Sequence, residues 1–343
     1  MTARLRDIGK RLSLRLLSVS GVIGLSQYLS RRHIVVLTYH RVIPRSTWSG
    51  ENRPPNTLFT DEFDAQMAYV ARHFNALAEE ELKAVLQGSR PVRDYSLVVT
   101  FDDGYENNFT HALPILQRHG LRAVFFVTTN LIGNDLAAFW FDRLDQVLGT
   151  APFVDIQRTL LDVDPSLDVE SKHRLRAQFK RLSHERQSEL LAVLEKQFDV
   201  PNCAVVNPDL YRAMNWDQVR ELSRHGMTIG SHTENHQILS AVDPEQAYRE
   251  VLRSRERIEA ETGCECWCFG YPNGQWKDFR ESDQLALRQA GYQCAFTQVP
   301  GTLSSSSPRF TLPRIPIPDV GDLMIFRSHV SGINRALSVV RGS

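Results

Sequence analysis

The chain has few cysteines, no excess of either charge and no long uninterrupted apolar run. Only five of its 343 residues are cysteines, an odd number that does not fit a disulfide framework. Free thiols favour a reducing compartment. Cys264, Cys266 and Cys268 alternate, so on a strand they would share one face. A metal cluster is one interpretation, although cysteine sites usually have other spacings; small buried apolar side chains are the interpretation that we favour.

The charge balance argues against a nucleic-acid partner. Lys+Arg and Asp+Glu each number 40, so the formal net charge is zero. Proteins that bind nucleic acids typically carry a basic excess. A neutral or small polar substrate fits better, and the composition is that of an ordinary soluble domain. The length allows one large α/β domain or two smaller ones.

Residues 1–32 have the pattern of an amphipathic helix. Apolar residues recur every three or four positions, and seven basic residues lie among them. Arg15 and several serines make the segment too polar to span a bilayer, and it lacks the apolar region of a signal peptide. We therefore expect a cytoplasmic protein. Two alternatives stay open for the helix: it packs on the domain, or it makes peripheral contact with the inner membrane face.

Strands and helices alternate along most of the chain. Short apolar runs predict buried strands at 34–39, 95–101, 122–128, 227–230, 266–270 and 292–297. Helical patterns separate them, which indicates βαβ units and a parallel sheet closed into a complete or incomplete barrel. Residues 135–214 interrupt this alternation with leucines at helical spacing and many basic residues, so we predict a helical insertion. Its charged face is either solvated or a basic lid over an anionic substrate.

Polar residues cluster where predicted strands end, which is where parallel α/β folds bind ligands. Asp102 and Asp103 are adjacent carboxylates, and their repulsion would be relieved by a cation. The alternative is an Asx turn before Gly104. His232 and His236 would share one face if their segment formed a helical turn. Imidazoles bind Zn²⁺ well, so we predict a metal site with one carboxylate as ligand and the other free to accept a proton.

The ordered motifs resemble those of the polysaccharide deacetylases with a NodB homology domain, carbohydrate esterase family 4. The resemblance rests on TFDDG at 100–104 and HTxxH at 232–236, with support from LTYHRV at 37–42, FGYPNG at 269–274 and LPRIPI at 312–317. It implies a distorted (β/α)₇ barrel over residues 34–330, with the insertion at about 135–214 and a separate N-terminal segment, 1–33. It also implies a divalent metal, most often Zn²⁺, with Co²⁺, Ni²⁺ and Mn²⁺ as alternatives.

The resemblance assigns roles to individual residues. Asp103, His232 and His236 match the metal ligands, and Asp102 matches the catalytic base. The backbone N–H of Asn273 matches an oxyanion donor, a group that stabilises charge developing in the transition state. We predict that the substrate contacts are made by Tyr105, Tyr271, Pro272, Asn273 and Gly274.

The chain departs from the family pattern at two places. Gly270 stands where the family often has an arginine that holds the catalytic aspartate, and we predict that Arg314 supplies this charge instead. The family's general acid is a late histidine; His329 is the late candidate here, and His40, at the end of the first strand, is the one we favour for a site role. Aromatic faces suit sugar rings, so Trp140 and Trp276 are further candidates for stacking, with core packing as the alternative.

The predicted function is metal-dependent hydrolysis of an N-acetyl group from an N-acetylated sugar, with release of acetate. The sugar would belong to a polysaccharide, an oligosaccharide or a lipid-linked glycan. An O-acetyl esterase or a non-sugar amide hydrolase on the same fold is the first alternative. A catalytically inactive carbohydrate-binding protein is the second, because the motif arginine is missing at position 270.

Overall fold

The structure, a computed structural model, describes residues 22–48, 50, 53–319 and 321–332. Within these ranges the strands are β1 (Val35–Tyr39), β2 (Arg41–Ile43), β3 (Thr57–Phe59), β4 (Asn75–Ala76), β5 (Ser96–Phe101), β6 (Ala123–Val127), β7 (Thr228–Ser231), β8 (Cys268–Gly270), β9 (Cys294–Pro300) and β10 (Leu312–Pro316).

The helices before the insertion are α1 (Val22–Leu29), α2 (Thr60–His73), α3 (Glu79–Leu86) and α4 (Leu113–Arg118), the last preceded by a π-helical turn at Asn108–Ala112. Those of the insertion are α5 (Trp140–Thr150), α6 (Phe153–Val163), α7 (Lys172–Phe179), α8 (His184–Gln197), α9 (Cys203–Val206) and α10 (Pro208–Tyr211). The remaining helices are α11 (Trp216–Arg224), α12 (Pro244–Thr262), α13 (Glu281–Gln289) and α14 (Leu323–Val330), with 3₁₀ turns at Arg45–Thr47 and Leu239–Ala241.

Seven parallel strands form a closed barrel. Their order is β1-β10-β9-β8-β7-β6-β5, and β5 pairs with β1 to close the ring. The short strand β4 extends the sheet from β5, and β2 and β3 form a separate parallel pair. The predicted (β/α)₇ barrel is thus confirmed. Six of its strands were predicted; β10 was seen only as a motif, because Pro313 and Pro316 are residues that strands usually exclude.

Both sides of most barrel strands are buried, as expected for parallel strands covered by helices, whereas on β10 Pro313 and Ile315 are half-buried. Val36, Val98 and Phe126 belong to an apolar cluster inside the barrel. The alternate residues, such as Leu37 and Val99, pack with the surrounding helices in a second and larger cluster. The core therefore has two layers, and the strands between them hold their carboxyl ends in fixed positions.

The cysteines are free thiols, and four of the five are buried. The prediction that Cys264, Cys266 and Cys268 share a strand face is wrong, because the strand begins only at Cys268. Cys266 packs in the outer cluster, Cys268 packs inside the barrel and Cys264 is exposed. The buried thiols serve as small apolar side chains.

The region predicted as a helical insertion contains α5 to α10, between β6 and β7. These helices have an apolar core of their own, with Leu160, Phe179 and Leu194 completely buried. A buried group joins the insertion to the barrel: Asp142 of α5 pairs with Arg41 of β2 and accepts a hydrogen bond from the Tyr105 hydroxyl at 2.7 Å. Arg41 also donates to the Tyr105 oxygen. Because Tyr105 follows Asp102-Asp103-Gly104 directly, this group fixes the insertion beside that segment.

The predicted N-terminal helix lies partly outside the described residues, which begin at position 22. Its described part, α1, is held to the end of α14, because the hydroxyls of Ser26 and Ser30 both donate to the Ser331 carbonyl. Leu25, Tyr28 and Leu29 are exposed. No helix in the described ranges is both long and apolar enough to cross a bilayer. Membrane contact through residues 1–32, a cytoplasmic location and the domain boundaries stay predictions.

Removal of a large side chain from the insertion core should destabilise the protein. Phe179 is completely buried, so Phe179→Ala should lower the free energy of unfolding by about 3–5 kcal/mol. Val193→Ala, on the exposed side of α8, is the control and should change it by less than about 0.5 kcal/mol. Urea denaturation followed by circular dichroism measures both. Equal effects would show that the insertion has no packed core.

Candidate metal centre

Three side chains from two strand ends converge on one point. Asp103 follows β5, and His232 and His236 follow β7. The Asp103 Oδ1 atom lies 3.5 Å from Nε2 of His232 and 3.3 Å from Nε2 of His236. Two atoms bound at about 2.0–2.1 Å to one tetrahedral ion lie about 3.3 Å apart. The spacing, together with one carboxylate and two imidazoles as donors, therefore fits a divalent cation.

The backbone adopts a conformation that non-glycine residues rarely take at three positions in this cluster. The φ angles are +79° at Asp103, +67° at Thr233 and +56° at His236. Residues 232–236 form a loop and not a helical turn, so the helical route to a shared face does not apply. The imidazoles meet because the chain reverses direction, not because of helical spacing. Such conformations persist only where surrounding contacts hold them, and they are common at functional sites.

The two histidines are prepared differently for ligation. His232 Nδ1 lies 2.7 Å from the Gly270 carbonyl oxygen and donates to it, which leaves the Nε2 lone pair directed at the cluster. Burial lowers the pKa of His232 to about 4, so its imidazole is neutral at neutral pH. His236 is 11% exposed, and its ring packs 5.5 Å from the ring of Phe139 and 5.2 Å from that of Phe141.

The Asp103 carboxylate is ionised despite its burial. Burial alone would raise its pKa, but the hydrogen bond with His236 and the surrounding histidines hold the pKa well below its usual range. The cluster thus offers one carboxylate oxygen and two imidazole nitrogens. This combination of ligands suits Zn²⁺ and leaves coordination positions for water and a substrate.

Glu250 supports the histidine loop and was missed by sequence reasoning. Its buried carboxylate accepts hydrogen bonds from the backbone N–H groups of Glu234 and Asn235, at 3.0 and 2.9 Å, and from the Asn235 side chain at 2.8 Å. Burial raises the pKa of Glu250. The available signal was an acidic residue next to Val251 on the apolar face of α12.

Asp102 is held by the predicted arginine. The Arg314 guanidinium donates to both carboxylate oxygens, at 2.7 and 2.8 Å, and both side chains are at most 1% exposed. Arg314 also donates to Oγ1 of Thr100 and to the Thr297 carbonyl. Burial opposes ionisation of Asp102, but the charge of Arg314 brings its pKa below the ordinary value. The predicted contact between Arg314 and Asp102 is present, and the role of Arg314 in turnover stays a prediction.

The structure explains why position 270 has no arginine. A Cβ atom at Gly270 would lie 2.9 Å from Cγ of Phe126 and 3.3 Å from Nδ1 of His232. The same close approach lets the Gly270 carbonyl accept the His232 proton. No side chain fits at position 270 between Phe126 and His232. The positive charge beside Asp102 therefore comes from Arg314 of β10.

Gln298 is a second partner of Asp102 that the sequence did not reveal. Its Nε2 donates to Asp102 Oδ2 at 2.8 Å. The only signal was that Gln298 follows Thr297 as a second polar residue in the largely apolar strand β9. Three N–H groups therefore donate to the Asp102 carboxylate and fix its plane. The direction from which the carboxylate can accept a proton is set before any ligand binds.

The loop after β8 is more tightly engaged than predicted. Tyr271 is 1% exposed, stacks on Phe279 and donates to the Phe310 carbonyl, and its predicted substrate contact stays a prediction. Pro272 is buried and Gly274 is required, because a Cβ there would lie 2.7 Å from the backbone nitrogen of Gln298.

Asn273 occupies the position predicted to supply an oxyanion donor. Its φ is +58°, and its side-chain oxygen accepts from Lys180 of the insertion at 2.6 Å. Its side-chain amide donates to Asp278. Its backbone N–H has no acceptor among the described residues, unlike those of Tyr271 and Gly274. This N–H is therefore free to bind a ligand oxygen.

The other predicted side chains divide between the site and the core. Tyr105 is completely buried with its hydroxyl on Asp142, and its predicted substrate contact stays a prediction. Trp140 is largely buried in the insertion, whereas Trp276 is 63% exposed. His40 follows Tyr39 at the end of β1, and the Tyr39 carbonyl accepts a hydrogen bond from the Asp102 backbone N–H at 3.0 Å, which places His40 near the two aspartates. His329 lies on α14 with Nδ1 bonded to the Ile325 carbonyl and is not part of the cluster.

Comparison with known proteins identifies relatives of one kind. The polysaccharide deacetylase family model matches residues 89–149 and 170–295, more than half of the chain. A putative polysaccharide deacetylase, YxkH of Bacillus subtilis, is 21% identical over 255 residues, which are 74% of this chain. The chain spans only 63% of that relative's length.

Solved structures of deacetylases share the fold. The Streptococcus pyogenes deacetylase PplD superposes with a TM-score of 0.56 at 17% identity, over 84% of this chain and 93% of PplD. IcaB from Ammonifex degensii gives a TM-score of 0.56 at 16% identity, over 88% of this chain and 97% of IcaB. At these identities the likeness concerns the barrel alone.

The cluster should bind one divalent ion per chain. Titration calorimetry of the metal-free protein with Zn²⁺ should give a stoichiometry near one, and Asp103→Ala or His232→Ala should weaken binding by more than about 100-fold. Glu250→Ala should weaken it by about tenfold, because the loop loses its support. His329→Ala is the control and should bind as the wild type does. Wild-type affinity in Asp103→Ala would place the metal elsewhere.

Proposed function

Because this chain belongs to the polysaccharide deacetylase family, we propose that it removes the acetyl group from an N-acetylated sugar by metal-dependent hydrolysis. The products are acetate and a free amino sugar. The observation that carries the proposal is the juxtaposition of two sites: a cluster of Asp103, His232 and His236 with metal-ligand spacing, and a buried base, Asp102, held by Arg314.

Asp103, His232 and His236 hold the cation in this proposal. A bound divalent cation polarises a carbonyl oxygen and lowers the pKa of a coordinated water to about 7. Zn²⁺ is the ion that we propose, because it accepts mixed nitrogen and oxygen ligands and keeps an open position in catalytic sites. Co²⁺, Ni²⁺ and Mn²⁺ are the alternatives.

Asp102 acts as the general base. Its ionised carboxylate accepts a proton from the attacking water, and Arg314 and Gln298 keep the carboxylate in one orientation. The water oxygen forms a bond to the acetyl carbon. The backbone N–H of Asn273 stabilises the negative charge that develops on the acetyl oxygen. Hydrogen bonds that join the Asn273 side chain to Lys180 and Asp278 hold this residue in place.

His40 is the proposed general acid. It lies beside Asp102 and Asp103 at the end of β1, and a histidine is the side chain best suited to donate a proton near neutral pH. It protonates the leaving nitrogen as the carbon–nitrogen bond breaks. Asp102 takes up one proton from the water, and His40 releases one proton to the leaving nitrogen. Proton exchange with the solvent then restores both residues to their starting states.

The reaction can be tested directly. Purified protein supplied with Zn²⁺ should release acetate from N-acetylglucosamine oligomers, measured by a coupled acetate assay. Asp103→Ala should abolish this release because it removes a metal ligand, while a matched change outside the site, Asp64→Ala on α2, should not. An O-acetylated xylan and a non-sugar acetamide are run in parallel. Release from the ester alone would replace N-deacetylation by O-deacetylation, and no release across the panel would contradict a hydrolase.

Arg314 should contribute to turnover through Asp102. Arg314→Met should lower kcat by about 10²–10³-fold, the effect of losing one pre-organised electrostatic contact. Arg314→Lys keeps the charge without the bidentate geometry and should lie in between. Circular dichroism establishes that each variant is folded. A folded Arg314→Met protein with wild-type kcat would remove Arg314 from the mechanism.

A further inference from the structure

The two imidazoles of the cluster are supported in different ways. His232 Nδ1 donates to the Gly270 carbonyl oxygen at 2.7 Å. His236 Nδ1 is buried as well, but it forms no hydrogen bond with any residue that the structure describes. A metal-ligating histidine usually donates its second ring N–H to an oxygen, which fixes the orientation of the ring. His236 lacks this constraint, so another contact must set the direction of its Nε2.

Two phenylalanine rings of the insertion contact His236. The ring centroids of Phe139 and Phe141 lie 5.5 and 5.2 Å from that of the imidazole, at interplanar angles of 81° and 63°. Both contacts are edge-to-face, an arrangement that aromatic pairs prefer. The two phenylalanine rings also stack on each other, 5.1 Å apart. A rotation of the imidazole would therefore break both contacts or displace both rings.

The segment that carries these rings is itself anchored on two sides. The ring of Phe139 lies 5.0 Å from that of Tyr105, in the outer cluster of the barrel. The next residue, Trp140, packs in the core of the insertion. Asp142 accepts a hydrogen bond from the Tyr105 hydroxyl at 2.7 Å. The start of α5 thus joins the two cores at the place where it contacts His236.

The difference in support has a consequence for metal binding. The oxygen that orients His232 belongs to Gly270, at the end of the barrel strand β8. The rings that pack on His236 belong to the insertion between β6 and β7. Displacement of α5 would therefore free the His236 imidazole to turn, while His232 would keep its orientation. A ligand that must be ordered when the metal binds lowers the affinity, because its rotational freedom is lost on binding.

We propose that Phe139 and Phe141 are positioning residues for His236, so that the insertion sets the affinity of a metal site whose ligands all belong to barrel loops. The inference rests on the metal centre of the proposed function and not on the chemistry that the site performs. It gives the insertion a role in assembling the site.

The test measures Zn²⁺ affinity by competition with a chelator of known affinity. Phe141→Ala should weaken binding by about tenfold, the lower end of the effect of removing the support of a metal ligand. Phe141→Leu keeps apolar volume without an aromatic ring and should lie in between. Phe139→Leu should also weaken binding; leucine is chosen there because Phe139 is 2% exposed and a larger deletion would destabilise the fold.

Phe153→Ala is the matched control. Phe153 is also a half-buried ring of the insertion, and it packs against the insertion core. Its removal should reduce stability and leave Zn²⁺ affinity at the wild-type value. Circular dichroism establishes that each variant is folded.

A double-mutant cycle separates positioning from a general structural effect. In a His236→Ala protein the supported ligand is absent, so addition of Phe141→Ala should not weaken Zn²⁺ binding further. A second tenfold loss would show that Phe141 acts through another group and would overturn the proposal.

The remaining outcomes also decide the question. Wild-type affinity in folded Phe141→Ala and Phe139→Leu would overturn the proposal, as would an equal loss in Phe153→Ala. If the wild type binds no Zn²⁺, this inference fails together with the metal centre. If the wild type binds Zn²⁺ and releases no acetate, only the proposed reaction fails, and the Zn²⁺ titrations still test the support of His236.

Discussion

The buried ion pair between Arg314 and Asp102 is the interaction on which the site depends. Both charges are removed from water almost completely, and each would be strongly unfavourable without the other. The pair also joins β10, the last strand of the barrel, to the end of β5. The contact that orients the proposed base therefore links two strands that are not neighbours in the barrel, so a displacement of β10 would weaken the hold on Asp102.

The metal cluster beside this pair is held in strained backbone conformations by contacts from outside it. Asp103 and His236 have positive φ angles, and the histidine loop is fixed by Glu250 of α12. The insertion adds a second layer of support, because Asp142 holds Tyr105 and Lys180 holds Asn273. A site built in this way is pre-organised, because the free energy needed to hold its strained backbone comes from folding and not from ligand binding.

The sequence predicted the barrel and the residues that converge in it, because both depend on local patterns. Apolar runs marked six of the seven barrel strands, and the strand ends marked Asp102, Asp103, His232 and His236. The strand β10 escaped this reasoning because of its prolines, yet the motif within it pointed to Arg314. Contacts between residues far apart in the sequence could not be predicted in this way. Nothing near Gln298 or Glu250 in the sequence indicates that their side chains bond to Asp102 and to the histidine loop. The burial of Tyr105 and Tyr271 could not be read from the motifs either, because a motif position does not reveal what surrounds a ring.

The most direct measurement is a crystal structure of the Zn²⁺-loaded protein with the metal located by its anomalous scattering. The ion should lie about 2.0–2.2 Å from a carboxylate oxygen of Asp103 and from Nε2 of both His232 and His236. Asp102 should remain outside the coordination sphere and bonded to Arg314. A metal bound at another place, or one bound by Asp102 with Arg314 displaced, would contradict the division of the two aspartates into ligand and base.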